Sequence, residues 1–131
     1  MGGVAVALEE VSVVEALARK YPEPVSLAVT CDRDGRPNII TLGWTMQTSF
    51  DPPMVAISVA HSRYSYELLI QSGEFVLVWP PAEWAEKALF CGTRSGRRVD
   101  KFEKTGLVAV PAKRVRPPLI AVSYTHLTLP T

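Results

Sequence analysis

The sequence predicts a mostly β domain with short helices, built as a small antiparallel barrel, and three observations predict it. Apolar residues gather in five short runs rich in valine, isoleucine and threonine, each about the length of one strand. Eleven prolines and eight glycines punctuate those runs, so the chain turns often. The helical patterns between them are few and short, and no strand–helix–strand rhythm recurs. A doubly wound parallel sheet is therefore excluded in favour of antiparallel pairing.

Taken in order, Val11 to Lys20 places Val13, Val14, Leu17 and Ala18 at helical spacing. Ser12, with Glu15 three residues on, forms a capping box, and Tyr21, Pro22 and Pro24 end the helix. Val25 to Cys31 reads as a strand, and Asp34-Gly35 as a hairpin turn into the next strand, Ile39 to Met46. TSFDPP is expected to interrupt the sheet, since paired prolines remove ladder donors and hold Asp51 in an extended or turn conformation. A further strand runs from Met54 to Ala60. The segment SYELLIQSG is a helix stopped at Ser72-Gly73, and Glu74 to Trp79 a buried strand ended by Pro80-Pro81. PAEWAEKALFCG is a helix with Trp84, Ala88 and Leu89 near one face and Gly92 as its cap. The basic, glycine-bearing piece TRSGRRVDKFEKTG is a loop with one helical turn from Asp100 to Lys104, and Leu107 to Pro111 is the last strand.

At 131 residues the chain makes one domain. With 47% hydrophobic and 21% charged residues it has the composition of a globular protein. A net charge of +1 gives no reason to expect nucleic acid or an acidic membrane as partner. No apolar run approaches the roughly 20 residues of a membrane span, and MGGVAVALEE lacks a basic leader, so a cytoplasmic protein is expected. Two cysteines, Cys31 and Cys91, make neither a disulfide scaffold nor a metal site. Both read as small buried hydrophobes, because no histidine or second cysteine stands near enough in sequence to activate them.

Chemistry concentrates between Asn38 and Tyr66. HSRYSYE follows a strand and opens a helix, which sets hydroxyls, free amides and a guanidinium together; that combination suits a phosphate group. Ser62, Arg63 and Ser65 are the candidates, the alternative being a helix cap with a solvated arginine. Trp44 puts a flat apolar surface on the preceding strand, either as core or as the wall of a cofactor site. A phosphate turn beside an aromatic strand suggests a nucleotide-like cofactor. His61 lies in the turn without an evident carboxylate partner and is secondary.

The blocks PN…GW.M..SFDPP, HSRYSYEL, SGEFV and CGT.SGR.VDKF, in that order over roughly Tyr21 to Leu119, resemble the flavin reductase-like family. The resemblance is to its flavoredoxin-type, FMN-binding split-barrel branch. It implies an antiparallel split β-barrel, FMN as cofactor, and a homodimer with the cofactor at the interface. It also implies transfer of hydride from NADH or NADPH through FMN to a free flavin, a ferric complex or a protein acceptor. The other readings are an FMN-binding electron-transfer or sensory module without nicotinamide turnover, and an inactive fragment. By position, the resemblance assigns cofactor contacts to Asn38, Trp44, Thr45, Met46, Ser62, Arg63, Ser65 and Lys101. Thr45 and Met46 are to lie along the flavin edge through backbone groups, and Ser95 and Gly96 to lend amides. No acid, base or nucleophile is required of the protein. By composition alone Lys101 is a solvated lysine and Asn38 a turn-stabilising asparagine.

After VRPPLI the family's pattern continues for further strands, whereas here AVSYTHLTLPT follows. The expectation is a split-barrel domain over residues 1–121, incomplete at its C-terminus, and a non-native tail over residues 122–131. His126 falls in that tail and is given no functional role.

Overall fold

The computed structural model describes residues 2, 3 and 8–121, and the backbone of 126–130. Strand β1 (Ser26–Cys31) is buried along its whole length and forms the centre of the main sheet. It pairs antiparallel with β2 (Pro37–Leu42) on one side and with β5 (Glu74–Val78) on the other, and β5 pairs with β8 (His126–Pro130). Because alternate side chains leave opposite faces of a strand, β1 feeds two cores. Leu27 and Val29 join Ile39, Val76 and Val78 beneath Ala88, Cys91 and Phe102, while Ala28 joins Ile40 and Leu42 against Ile57 and Val59. Two further antiparallel pairs complete the strands: β3 (Thr45–Phe50) with β4 (Pro53–Ile57), and β6 (Ala109–Val110) with β7 (Leu119–Ile120). Among the described residues every pairing is antiparallel, as expected, and the three sheets do not close on one another.

Among the described residues four α-helices dress this frame: α1 (Val13–Ala18), α2 (Tyr64–Ser72), α3 (Ala85–Thr93) and α4 (Lys101–Thr105). The Ser12 hydroxyl accepts from the Glu15 amide at the start of α1, as the capping pattern predicts. The apolar face of α1 finds no core, and Val13, Val14 and Leu17 are exposed. Helices α2 and α4 each end on a left-handed glycine, Gly73 and Gly106. No helix among the described residues is long and apolar enough to cross a membrane.

Three expectations are corrected. The strand expected from Ile39 to Met46 breaks at Gly43-Trp44, and its second half becomes β3. TSFDPP does not interrupt pairing: β3 runs through Phe50, and the chain reverses at Asp51-Pro52, whose peptide is cis. Pro53 starts β4 opposite Phe50, at a strand end where a missing N–H is tolerated. Gly92 lies inside α3 instead of capping it; a Cβ there would stand 3.1 Å from Thr41 Cβ, so glycine lets the helix approach β2. Of the expected tail, residues 122–125 and 131 lie outside the described residues, and the backbone of the remainder forms β8.

The β1–β2 hairpin is held by one carboxylate. Asp32 accepts from the Asp34 and Arg36 amides, each at 2.9 Å, and from Arg36 Nε at 2.7 Å. These donors, the Arg36 amide foremost, hold its pKa below the ordinary 3.8. Stability from this group is therefore present above pH 3.8 and lost as pH falls through the lowered value. Asp32→Asn should flatten that acid limb, seen as a smaller fall in urea midpoint below about pH 4 than in the parent protein. An unchanged limb would show that Asp32 does not set it.

Candidate functional site

A cavity of about 900 Å³ opens where β2, the turn before α2 and the loop after α3 meet. Its geometry begins with Asn38, near the start of β2. This side chain is 4% exposed and donates from Nδ2 to Ser65 Oγ at 2.8 Å. Ser65 sits in the first turn of α2 and is itself buried, so the pair ties strand to helix. Asn38 is thus a buried fastening residue, and the turn-stabilising alternative is set aside.

The turn His61–Arg63 closes through the Arg63 amide, which donates to the Ala60 carbonyl at 3.0 Å. Arg63 is the N-cap of α2 and makes no side-chain capping bond. The Tyr66 amide turns back to the Arg63 carbonyl at 3.0 Å, while Tyr64 and Ser65 line the cavity beside Ser62 and Arg63. His61 stacks against Tyr66, ring centres 4.6 Å apart, and does not line the cavity.

The third wall is the loop of residues 94–99. Ser95 organises it: its hydroxyl accepts from the Arg97 amide, and its carbonyl accepts from the amides of Arg98 and Val99. Arg97 fastens the loop to α2 by an ion pair with Glu67 and by lying over the Tyr64 ring, 5.3 Å from its centre. Gly96 then lies so close to β2 that an added Cβ would fall 2.0 Å from Asn38 Oδ1.

Lys101, the first residue of α4, departs most from its compositional reading. Its ammonium is buried, at 4% exposure, and donates to the carbonyls of Ile39 at 2.7 Å and Cys91 at 2.6 Å. Burial pushes its pKa down, opposed by the Cys91 thiol and reinforced by the Arg63 cation. Thr41 adds a parallel tie, donating from Oγ1 to the Ala88 carbonyl at 2.5 Å. The Cys91 thiol is pushed up, chiefly by burial, with Lys101 pulling the other way; at neutral pH it stays a thiol and offers no nucleophile.

Six predicted site residues, Asn38, Trp44, Ser62, Arg63, Ser65 and Lys101, line this one cavity. Trp44 is 66% exposed, which removes the core reading and leaves its ring face available. Thr45 and Met46 stand elsewhere, along a smaller hollow of about 240 Å³ with Pro53, Met54 and Trp79. The break at Gly43-Trp44 sends β3 away to pair with β4 and carries both residues with it. Sequence reading passed over Arg94, Arg97 and Arg98, although the basic run RSGRR signalled them. In all, the lining holds four arginines and one lysine and no carboxylate. No cluster of three or more metal-type ligands occurs among the described residues.

An open antiparallel fold with a cation-lined, hydroxyl-bearing hollow at a helix start has the chemistry that suits a phosphate-bearing ligand. The family model described as flavin reductase like domain matches residues 18–128, and the chain belongs to that family. The chain resembles flavoredoxin of Desulfovibrio vulgaris (Miyazaki F), with 34% identity and a TM-score of 0.74, over 78% of this chain and 56% of that one. Flavoredoxin from Methanosarcina acetivorans is similar at 31% identity and a TM-score of 0.73, over 82% and 56%. An FMN-binding protein from Thermus thermophilus, 20% identical, shares the fold with a TM-score of 0.80 over 95% and 67%. These likenesses establish the split-barrel fold. Among curated relatives, an uncharacterized protein of Archaeoglobus fulgidus is 35% identical over 115 residues, 88% of this chain and 64% of its own length. One from Aeropyrum pernix is 35% identical over 82% of this chain and 41% of its own. The chain therefore spans about two fifths to two thirds of the length of these relatives.

Proposed function

We propose that this flavin reductase-like protein binds FMN and acts as an oxidoreductase, taking electrons from NADH or NADPH and passing them to a free flavin, a ferric complex or a protein acceptor. The observation that carries the reading is the cavity lining: five cations and no carboxylate, gathered beside an exposed indole. FMN carries a phosphate with charge near −2 and a flat apolar ring system, and the lining offers a partner for each. Arg63, Ser62 and the amides of Tyr64 and Ser65 hold the phosphate. Trp44 covers one face of the ring. Asn38 and Ser65, bonded to each other, hold strand and helix at the spacing the cofactor needs, and Lys101, tied to the Ile39 and Cys91 carbonyls, lines the same hollow. Bound FMN would supply hydride acceptance and onward electron transfer; the side chains bind, orient and bias it by their positive charge.

A second copy of the chain is part of the proposal. Trp44, Met46, Phe50 and Met54 are all exposed on or beside the β3–β4 hairpin, an apolar surface of the kind that a partner covers. A cytoplasmic setting, where reduced nicotinamides are available, completes the picture. The test is to purify the chain, add FMN, and follow the visible flavin band while NADH or NADPH is added without oxygen, with light scattering for mass. Yellow dimeric protein that bleaches supports the reading. Colourless protein that leaves added FMN free overturns it, and a monomer that binds FMN overturns the dimer alone.

A further inference from the structure

We infer that the cavity seats a second, phosphate-bearing ligand beside the flavin, held by Arg94 and Arg98. The inference rests on FMN occupying the turn before α2 and assigns the remaining charge. Of the five cations in the lining, Arg63 and Lys101 stand close enough for the cation of one to depress the pKa of the other. Together they balance one phosphate dianion. Arg97 is already neutralised by Glu67. Arg94 and Arg98 are left, and neither meets a carboxylate among the described residues. Arg94 lies over the Phe90 ring, 5.8 Å from its centre, and donates only to the neighbouring Thr93 carbonyl at 3.4 Å.

Two unpaired guanidiniums on one short loop are more than a single FMN phosphate calls for. Like charges gathered on one wall repel, and a dianionic or trianionic ligand relieves that repulsion. Planar guanidinium forks match phosphate oxygens two at a time, which favours a pyrophosphate over a lone carboxylate. The size of the hollow agrees: about 900 Å³ lies near the top of the roughly 300–1,000 Å³ range of small-molecule sites, leaving space beside one flavin. A dinucleotide such as the proposed electron donor carries that pyrophosphate, so the Arg94 and Arg98 side chains would set its affinity, while Gly96 keeps the same loop seated on Asn38 beside the flavin.

The experiment uses the FMN-loaded chain and inorganic pyrophosphate as probe, measured by calorimetry, with flavin fluorescence reporting whether FMN stays bound. The expected result is pyrophosphate binding with FMN retained, weakened about 30-fold or more in the R94Q/R98Q variant. The variant should keep its FMN affinity within about threefold. In a second arm, NADPH and NADH should compete with pyrophosphate if the dinucleotide is the source of the phosphates, whereas simple phosphate monoesters without a nicotinamide should compete only weakly. Pyrophosphate that expels FMN, or a variant that loses FMN and pyrophosphate alike, overturns the inference, because both arginines then belong to the flavin seat. A yellow protein indifferent to pyrophosphate overturns it too, leaving the flavin reading intact. A chain that takes up no FMN ends both.

Discussion

Gly96→Ala should weaken FMN binding by about fivefold to 150-fold while leaving the chain folded. The cause is steric. A Cβ at this position would stand 2.0 Å from Asn38 Oδ1, 2.6 Å from Asn38 Cγ and 2.9 Å from Tyr64 Cδ1. Asn38 cannot swing away cheaply: it is buried, and its amide already donates to Ser65 at 2.8 Å. Either that bond breaks, or the loop of residues 94–99 lifts off the wall of the cavity. Overpacking of this kind costs about 1–3 kcal/mol. Most of that is expected in the bound state, since the loop is exposed on its outer side and can move when no cofactor holds it. The check is a flavin fluorescence titration beside a thermal melt. A dissociation constant equal to the parent's would mean that the loop does not form the site. A melt lowered far more than binding would mean that Gly96 matters to the fold.

The parts of the site that could be read from sequence are those where neighbours in the chain are neighbours in space. Ser62, Arg63 and Ser65 fall within one turn, and that turn opens a helix because Ala60 and Arg63 close it locally. Asn38, by contrast, matters for a bond to Ser65 that spans 27 residues, which local turn chemistry could not suggest. Resemblance assigns Thr45 and Met46 to the flavin edge, and a single strand from Ile39 to Met46 would have kept them in line with Trp44. Gly43-Trp44 ends β2, and the next six residues belong to a hairpin with its own partner. The paired prolines made Asp51-Pro52 look like a gap in the sheet when it is the tip of that hairpin. Lys101 looked solvated because its sequence neighbours are polar. Its burial is decided by α4 packing on β2 and α3, a tertiary matter on which composition is silent.

Lys101→Met should cost about 3 kcal/mol or more, the largest stability loss of any single change considered for this site. Two buried carbonyls, of Ile39 and Cys91, receive the Lys101 ammonium at 2.7 and 2.6 Å. Methionine fills similar space but donates nothing, so both oxygens lose a charge-assisted partner at about 1–3 kcal/mol each. Those carbonyls belong to β2 and α3, so the walls of the cavity separate along with the fold, and FMN affinity should drop in parallel. The pH dependence distinguishes this account from simple loss of packing. Burial depresses the folded-state pKa of Lys101 below its ordinary 10.5. Between the depressed value and 10.5 the native chain binds fewer protons than the unfolded one, so the lysine protein gains stability as pH rises. Below the depressed value the cost of burying the charge is present in full and constant. The methionine variant has no such proton to lose. Its deficit relative to the parent should therefore widen as the solution is made more alkaline, read from urea unfolding of both proteins. The comparison is best made in a Cys91→Ala background, because the raised thiol pKa works in the opposite sense: stability from that thiol is lost as pH rises above 9.0. A deficit that stays flat with pH would mean that the ammonium is not titrating in the fold, and that the two carbonyl bonds, not the buried charge, are all that Lys101 contributes.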